Sequence, residues 1–264
     1  KGKSKKEVFL STYICHPSLA NNEISGPSVL TYLAKWINSK KNKRYSYRII
    51  FIPETIGSIA YLSINLKKLK KNMRYGFNLS CVGDDRNFSY LASRDGNTLT
   101  DKLIKFVLKK NKIIYKKFDW LHRGSDERQY CAPGVDLPVC SIMRTKHGLY
   151  KEYHTSLDKL GTVVTSKGLN KSYKIYQECI NEIEKNVIPK TNILCEPQMG
   201  KRNLYPNIST KTSGLKIRSM MDILSFCDGF NSINDISHQL KLKTKFVYKI
   251  VKLLKRNKII NYIN

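Results

Sequence analysis

His16, Glu54, the pair Asp84-Asp85 and His154 each follow an apolar run that stops abruptly. The run from Val8 to Ile14 gives way to His16-Pro17, and Ile49 to Ile52 is cut by Pro53-Glu54. Tyr75 to Val82 ends in Gly83-Asp84-Asp85, and the run over 137–143 precedes the Tyr153-His154-Thr155 turn. Imidazole and carboxylate are zinc ligands, and a catalytic zinc site keeps one position open beside three protein ligands. His16, His154 and a carboxylate would compose such a site. Glu54 is then a ligand or the base that takes a proton from water whose pKa the metal lowers from about 15.7 to about 7. The plainer reading is a carboxylate at the start of the next helix. Asp84 or Asp85 supplies a further ligand, or the two form an ordinary turn after Gly83. Asp158 stands four residues after His154, placed to orient that turn, and Ser125-Asp126-Glu127-Arg128 reads as a polar loop on the substrate side or behind the ligands. His122, His147 and His238 are read as surface or satisfied core histidines.

Strands and helices that alternate would bring these residues to one place. The hydrophobic patterning predicts strands over 5–14, 47–52, 75–82 and 137–143, and helices over 27–39, after Gly57-Ser58, over 98–108 and over 165–186. This order makes an α/β layered domain with a largely parallel sheet. In such sheets ligands bind in the crevice beyond the carboxyl ends of the strands, where the polar residues above fall.

The segment 189–212 contains Pro189, Pro197 and Pro206 with little periodicity and reads as a linker between a first domain, 1–188, and a second, 213–264. In the second, helices are expected over 219–226, 233–240 and 244–257, with Ser232 as an N-cap and an alternating strand at the end. Three short helices and a terminal strand compose a winged helix-turn-helix. Its last helix carries Lys245, Lys249 and Lys252, spaced to contact nucleic-acid phosphates or to form one solvated face.

The chain has 264 residues, a formal charge of +28 and 41% hydrophobic residues, enough to build a sizeable core. The excess Lys is spread throughout the chain and accompanies abundant Asn and Ile, which reads as a compositional bias of the source more than as a nucleic-acid footprint. No apolar run reaches the roughly 20 residues of a membrane span. Seven Cys, with no CxxC pair and mostly inside apolar runs, fit a reducing, cytoplasmic compartment. Lys1 leads almost directly into a strand, so the chain reads as a fragment lacking an upstream segment.

Taken in order, His16, Ala20-Asn21-Asn22 with Ser25-Gly26, Glu54 before Gly57-Ser58, Ser125-Asp126 ahead of a Pro-containing strand, and Tyr153-His154-Thr155 with Asp158 resemble the zinc aminopeptidase family. A bacterial group of aminopeptidase-like proteins of undefined function, often described beside polysaccharide biosynthesis, is more similar still. Its hallmarks stand here as Cys15-His16-Pro17-Ser18, Arg123-Gly124-Ser125-Asp126-Glu127-Arg128 and Cys195-Glu196-Pro197-Gln198. The resemblance implies a three-layer α/β/α sandwich with a C-terminal winged helix. It also implies zinc chemistry on a small peptide, aminoacyl or other amide substrate, and further sheet upstream.

The departures change the expected metal content. Asn22 replaces the bridging Asp, Thr55 the second Glu of a Glu-Glu pair, and Ser80 and Cys81 lie nearest the last Asp ligand. One zinc ion is therefore expected instead of two, with His16, Asn22, His154 and Asp84 as ligands and Glu54 as base. Asp85, Asp126, Glu127, Arg128, Tyr153 and Asp158 stand behind them or against substrate. The competing reading is a degenerate sandwich that acts as a binding or regulatory module through its winged helix.

Overall fold

Seven consecutive buried residues, Glu7–Tyr13, form strand β1. In the computed structural model, which describes residues 1–204 and 211–263 (not the side chains of 211–213 and 216), β1 belongs to the first of two units, Lys1–Glu182 and Ile183–Asn264. The elements after β1 are α1 (Ser25–Ser39), β2 (Ser46–Ile52), α2 (Ile56–Asn72), β3 (Met73–Asn78), β4 (Ser89–Leu91), α3 (Leu99–Lys110), β5 (Lys116–Phe118), α4 (Glu127–Tyr130), β6 (Val139–Met143) and α5 (Ser166–Lys185). The sheet order is β2-β1-β3-β6-β4-β5. Every neighbouring pair is parallel except β4 with β6.

Alternation along β1 divides the layers, because successive side chains face opposite sides of a sheet. Phe9 joins Leu62 and Leu69 of α2, Tyr130 of α4 and Val139 of β6 in one core. Ser11, on the same face, hydrogen-bonds the Tyr130 hydroxyl at 2.8 Å. On the opposite face Phe77 of β3 meets Tyr176 of α5 edge-on, with centroids 5.7 Å apart. Helix α3 starts with a capping box in which Thr98 and Asp101 satisfy each other's backbone amides. At the start of α1, Gly26 leaves no room for a side chain, since a Cβ would stand 2.4 Å from Thr12 Oγ1 and 2.6 Å from the Leu79 carbonyl oxygen.

Two features of the first unit depart from the sequence expectation. The third strand, expected through Val82, leaves the ladder at Asn78 and turns at Cys81, whose φ is +49°. Strands β4 and β5, three residues each, were not expected because runs that short carry no measurable alternation.

In the second unit, β7 (Ile188–Thr191) pairs antiparallel with β8 (Ile260–Ile263) around α6 (Lys211–Ser225), α7 (Ile233–Gln239) and α8 (Thr244–Arg256). The expected linker thus begins with a strand, whose partner is more than sixty residues away in the chain, and α6 starts at Lys211, inside that linker and eight residues before the helix expected over 219–226. Pro206 lies outside the described residues. Ser232 caps α7, as its position before Ile233 suggested, and Ile223, Ile236, Val247, Val251 and Ile260 lie in one buried cluster. No described helix is long and apolar enough to cross a membrane.

Candidate metal and hydrolytic site

Because β1, β2, β3 and β6 run parallel, the loops after their last residues emerge at one edge of the sheet. The loop after β1 carries His16 and is pinned from below by Glu23. The Glu23 carboxylate accepts the backbone N–H of Cys15 and, at 2.8 Å, that of His16, and lies 3.3 Å from the His16 Nδ1. A carboxylate against one ring nitrogen orients the other, the usual arrangement behind a metal-binding histidine. The other nitrogen, Nε2, faces Glu54 Oε2 at 3.8 Å. Sequence reasoning missed Glu23; its only local signal is a lone acid seven residues after the histidine.

Glu54 is delivered by a strained turn. Thr55 has φ +60° and ψ −68°, and the Ile56 N–H donates to the Glu54 carbonyl at 2.7 Å. This is a γ-turn of the rare, strained form, in a β-branched residue that disfavours positive φ. Asp126 holds it, Oδ1 accepting the Thr55 N–H at 2.7 Å and the Ser58 hydroxyl at 3.0 Å. Arg128 donates from Nη2 to Thr55 Oγ1 at 2.9 Å. His154 (φ +57°), Cys81 (φ +49°) and Ser18 (φ +67°) also have left-handed backbone. Such backbone is costly and persists where surrounding contacts over-determine it.

His154 is fixed by Tyr153, whose ring stacks on it with centroids 3.9 Å apart, and its own ring lies 5.2 Å from that of His16. Its Nε2 stands 3.4 Å from the Asn22 amide nitrogen, while the Asn22 amide oxygen, expected as a ligand, accepts the Tyr13 hydroxyl at 2.9 Å. Asn22 sits in a π-helical turn, Ala20–Ile24, whose amides point at Asp158. The Asp158 carboxylate accepts Asn21 N–H at 2.7 Å, Asn22 N–H at 3.1 Å and the Tyr150 hydroxyl at 3.0 Å. His16, Asn22, Glu54 and His154 are therefore brought together, with Tyr153 and Asp158 behind them.

Three acidic candidates are spent elsewhere. Asp84, expected as a ligand, accepts from the Arg86 amide, from the Thr145 amide and hydroxyl, and from the Asn21 side chain, so it ties loops together. Asp85 meets Lys167 and Lys171 at 2.8 Å each, and these two ammonium groups hold its carboxyl down at about 2. Glu127 accepts the Gly124 and Ser125 amides and the Asn78 side chain. Among the described residues, the group of three Cys, His or acidic donors that all lie within 4.8 Å of one another is Cys15, His16 and Glu23, but both Glu23 oxygens already hold the loop backbone.

Residues 1–186 match the model of a domain of unknown function (DUF4910), and residues 186–262 that of a winged helix-turn-helix. The chain is 41% identical over 241 residues to a Clostridium acetobutylicum protein named as a polysaccharide biosynthesis protein with an aminopeptidase-like domain. The chain belongs to this aminopeptidase-like DUF4910 family. The match covers 90% of the chain but 55% of the relative, so the chain spans about half that protein's length. A solved Clostridium acetobutylicum structure named as a peptidase superposes with a TM-score of 0.76 at 36% identity, over 100% of this chain and 59% of the other. A zinc aminopeptidase from Bacillus subtilis shares the fold, with a TM-score of 0.57 and 17% identity over 67% of this chain and 46% of its own.

Two buried groups beside the site oppose each other in their response to acid. Asp126 is fully buried and pushed up to about 6, first by burial and then, against its hydrogen bonds, by the charges of Glu54 and Glu127. His147 is buried and pushed down to about 4, also first by burial. Between its ordinary value of 6.5 and about 4, His147 binds more protons unfolded than folded, so its contribution falls as pH drops. Between 3.8 and about 6, Asp126 binds more protons folded, so its contribution falls as pH rises. Each is worth on the order of 3 kcal/mol at most, and they nearly cancel. Asp126→Asn removes one arm, so the metal-free variant will lose melting temperature between pH 6.5 and 4 more steeply than the wild type. Parallel curves for the two proteins would show that this account is wrong.

Proposed function

We propose that the first unit is a zinc-dependent hydrolase of amide bonds acting on a small peptide, aminoacyl or amide-linked substrate. The observation that carries the reading is the Glu54 carboxylate 3.8 Å from His16 Nε2, with His154 alongside, at the carboxyl edge of a parallel sheet. The donor set suits one ion. Two imidazoles suit a single zinc, whereas Asn22, whose amide oxygen accepts the Tyr13 hydroxyl at 2.9 Å, and Thr55 take away the charge that would hold two divalent ions together. His16 and His154 would hold the ion with Asn22 beside them. When bound, it would polarise the substrate carbonyl and favour ionisation of a nearby water.

The chain's own groups divide the remaining work. Glu54 takes the proton from the attacking water and returns it to the leaving nitrogen, as a carboxylate at the end of a rigid turn can. Asp126 and Arg128 keep that turn in place, and Tyr153 keeps the His154 ring from rotating away. The context of polysaccharide biosynthesis rests on the name of the Clostridium relative.

The test is the metal content of the full chain after zinc incubation and desalting. One zinc per chain is expected, and none in the His16→Ala/His154→Ala double variant. Two would mean that Asn22 tolerates a paired site, and none in the wild type would remove the metal from the mechanism.

A second reading concerns α8. Lys245, Lys249 and Lys252 are exposed there beside Tyr248, and residues 236–264 include eight Lys or Arg and no Asp or Glu. A nucleic-acid duplex is the partner that face would take. Its affinity should fall with salt on a log–log slope of about −3 for these three contacts, and absence of binding at low salt would end the reading.

A further inference from the structure

Helices α1 and α5 leave two cavities of about 380 Å³ each, one after the other along their length. Tyr32 of α1 and Tyr173 of α5 line the first, and Trp36 of α1 and Gln177 of α5 line the second. His16, Glu54 and His154 line neither. Tyr32 and Trp36 are four residues apart, so they share one face of α1 and follow each other at a pitch of about 5.4 Å. Leu30, Leu33 and Ile37 are buried from the same helix, whereas Tyr32 is 66% exposed and Trp36 half-buried. The two rings thus line a furrow beside the core instead of filling it.

Polar atoms along this furrow are unspent. Among the described residues, the side chains of Tyr32, Asn170, Tyr173 and Gln177 make no hydrogen bond. Lys40 Nζ stands 4.1 Å from the centre of the Trp36 ring and donates to Asn181 Oδ1 at 3.1 Å, which leaves the Asn181 N–H groups to donate elsewhere. Asn111 donates from Nδ2 to the Val107 carbonyl at 2.9 Å and keeps its amide oxygen as an acceptor. Glu178, the acid at the second cavity, is met by Lys110 at 3.3 Å, so no lone carboxylate is left there to draw a cation. An apolar peptide would cover these amides and phenol hydroxyls without pairing them, at the cost of each unsatisfied group. Flat rings with an apolar face and an edge of hydroxyls suit both halves of the lining, since Tyr and Trp offer a broad apolar surface and the amides both donors and acceptors.

We propose that the furrow between α1 and α5 binds an oligosaccharide chain, with successive pyranose rings laid on Tyr32 and Trp36 and their hydroxyls on the flanking amides. The pitch of α1 is close to the length of one pyranose unit in an extended chain, so neighbouring rings meet neighbouring aromatics. This site is separate from the Glu54 crevice and needs neither metal nor turnover.

The experiment is titration calorimetry of the full chain with glucose, N-acetylglucosamine and galacturonate oligomers, each β- or α-1,4-linked series running from disaccharide to hexasaccharide. At least one series should bind, the hexasaccharide at least about tenfold tighter than its disaccharide, because only a longer chain spans both rings. Tyr32→Ala should remove that gain with length, and Gln177→Ala should weaken every member of the series. Tyr32 is exposed, so its variant should melt with the wild type, and a lost gain is then not lost folding. Trp36 and Trp120 are the two tryptophans of the chain, so in Trp120→Phe the emission of Trp36 alone should shift as the same ligand saturates. The proposal is overturned by absence of binding in all three series, by equal affinity at every length, or by a length dependence that survives Tyr32→Ala. Self-association abolished by Tyr32→Ala, with no saccharide bound, would assign the furrow to a second copy of the chain and overturn it as well. The His16→Ala/His154→Ala variant should bind saccharide as the wild type does, so this result and the zinc content stand or fall separately.

Discussion

Replacing Glu54 by Gln should leave the zinc-treated chain folded and reduce kcat toward an aminoacyl p-nitroanilide by about 10²–10⁴, with KM little changed. The amide has the size of the carboxylate but cannot take a proton, so it separates proton transfer from the space the side chain fills. The Thr55 turn that positions residue 54 is held through the backbone and by Asp126 and Arg128, none of which the substitution touches. Zinc retention should therefore match the wild type. Loss of zinc together with activity would make Glu54 a ligand, the alternative open from the sequence, and an unchanged kcat would remove it from the chemistry.

The largest effect on stability is expected at Asp158. Its fully buried carboxylate is the acceptor for two backbone amides of the turn carrying Asn22 and for the Tyr150 hydroxyl. Alanine would leave three buried donors without an acceptor, at about 1–3 kcal/mol for each unsatisfied group. Allowing for relaxation, Asp158→Ala should lose roughly 3–5 kcal/mol, read as a lower midpoint in urea, and should bind zinc more weakly because Asn22 is no longer held. Asp158→Asn keeps an acceptor oxygen and should fall between the two. A midpoint within experimental scatter of the wild type, with zinc retained, would show that the π-helical turn is held by other contacts.

The order of elements and the residues at strand ends were legible because both are local properties. An apolar run interrupted by His16-Pro17 or Pro53-Glu54 must leave the sheet there, and alternation of strands with helices makes the sheet mostly parallel. Parallel strands then carry His16 and Glu54 to one edge without further information. The Ser232 cap and the three helices of the second unit follow from short-range spacing in the same way. The end of β3 at Asn78 was less visible, because Leu79 to Val82 is apolar enough to continue a strand and is diverted by the turn at Cys81.

What the sequence determined by itself is the kind of fold and the set of ionisable residues delivered to its carboxyl edge. Tertiary structure alone decided which of those groups remain free. Asp84 looked like a ligand until Thr145, sixty-one residues away, occupied its oxygens, and Asp158 proved to hold amides 137 and 136 residues before it. Glu23 gained its place behind His16 from the return of the chain into the π-helical turn. The physical reason is one of range. Backbone propensity and hydrophobic period act over a few residues, whereas the charge state and free valence of a carboxylate or ammonium depend on donors and burial supplied by distant segments.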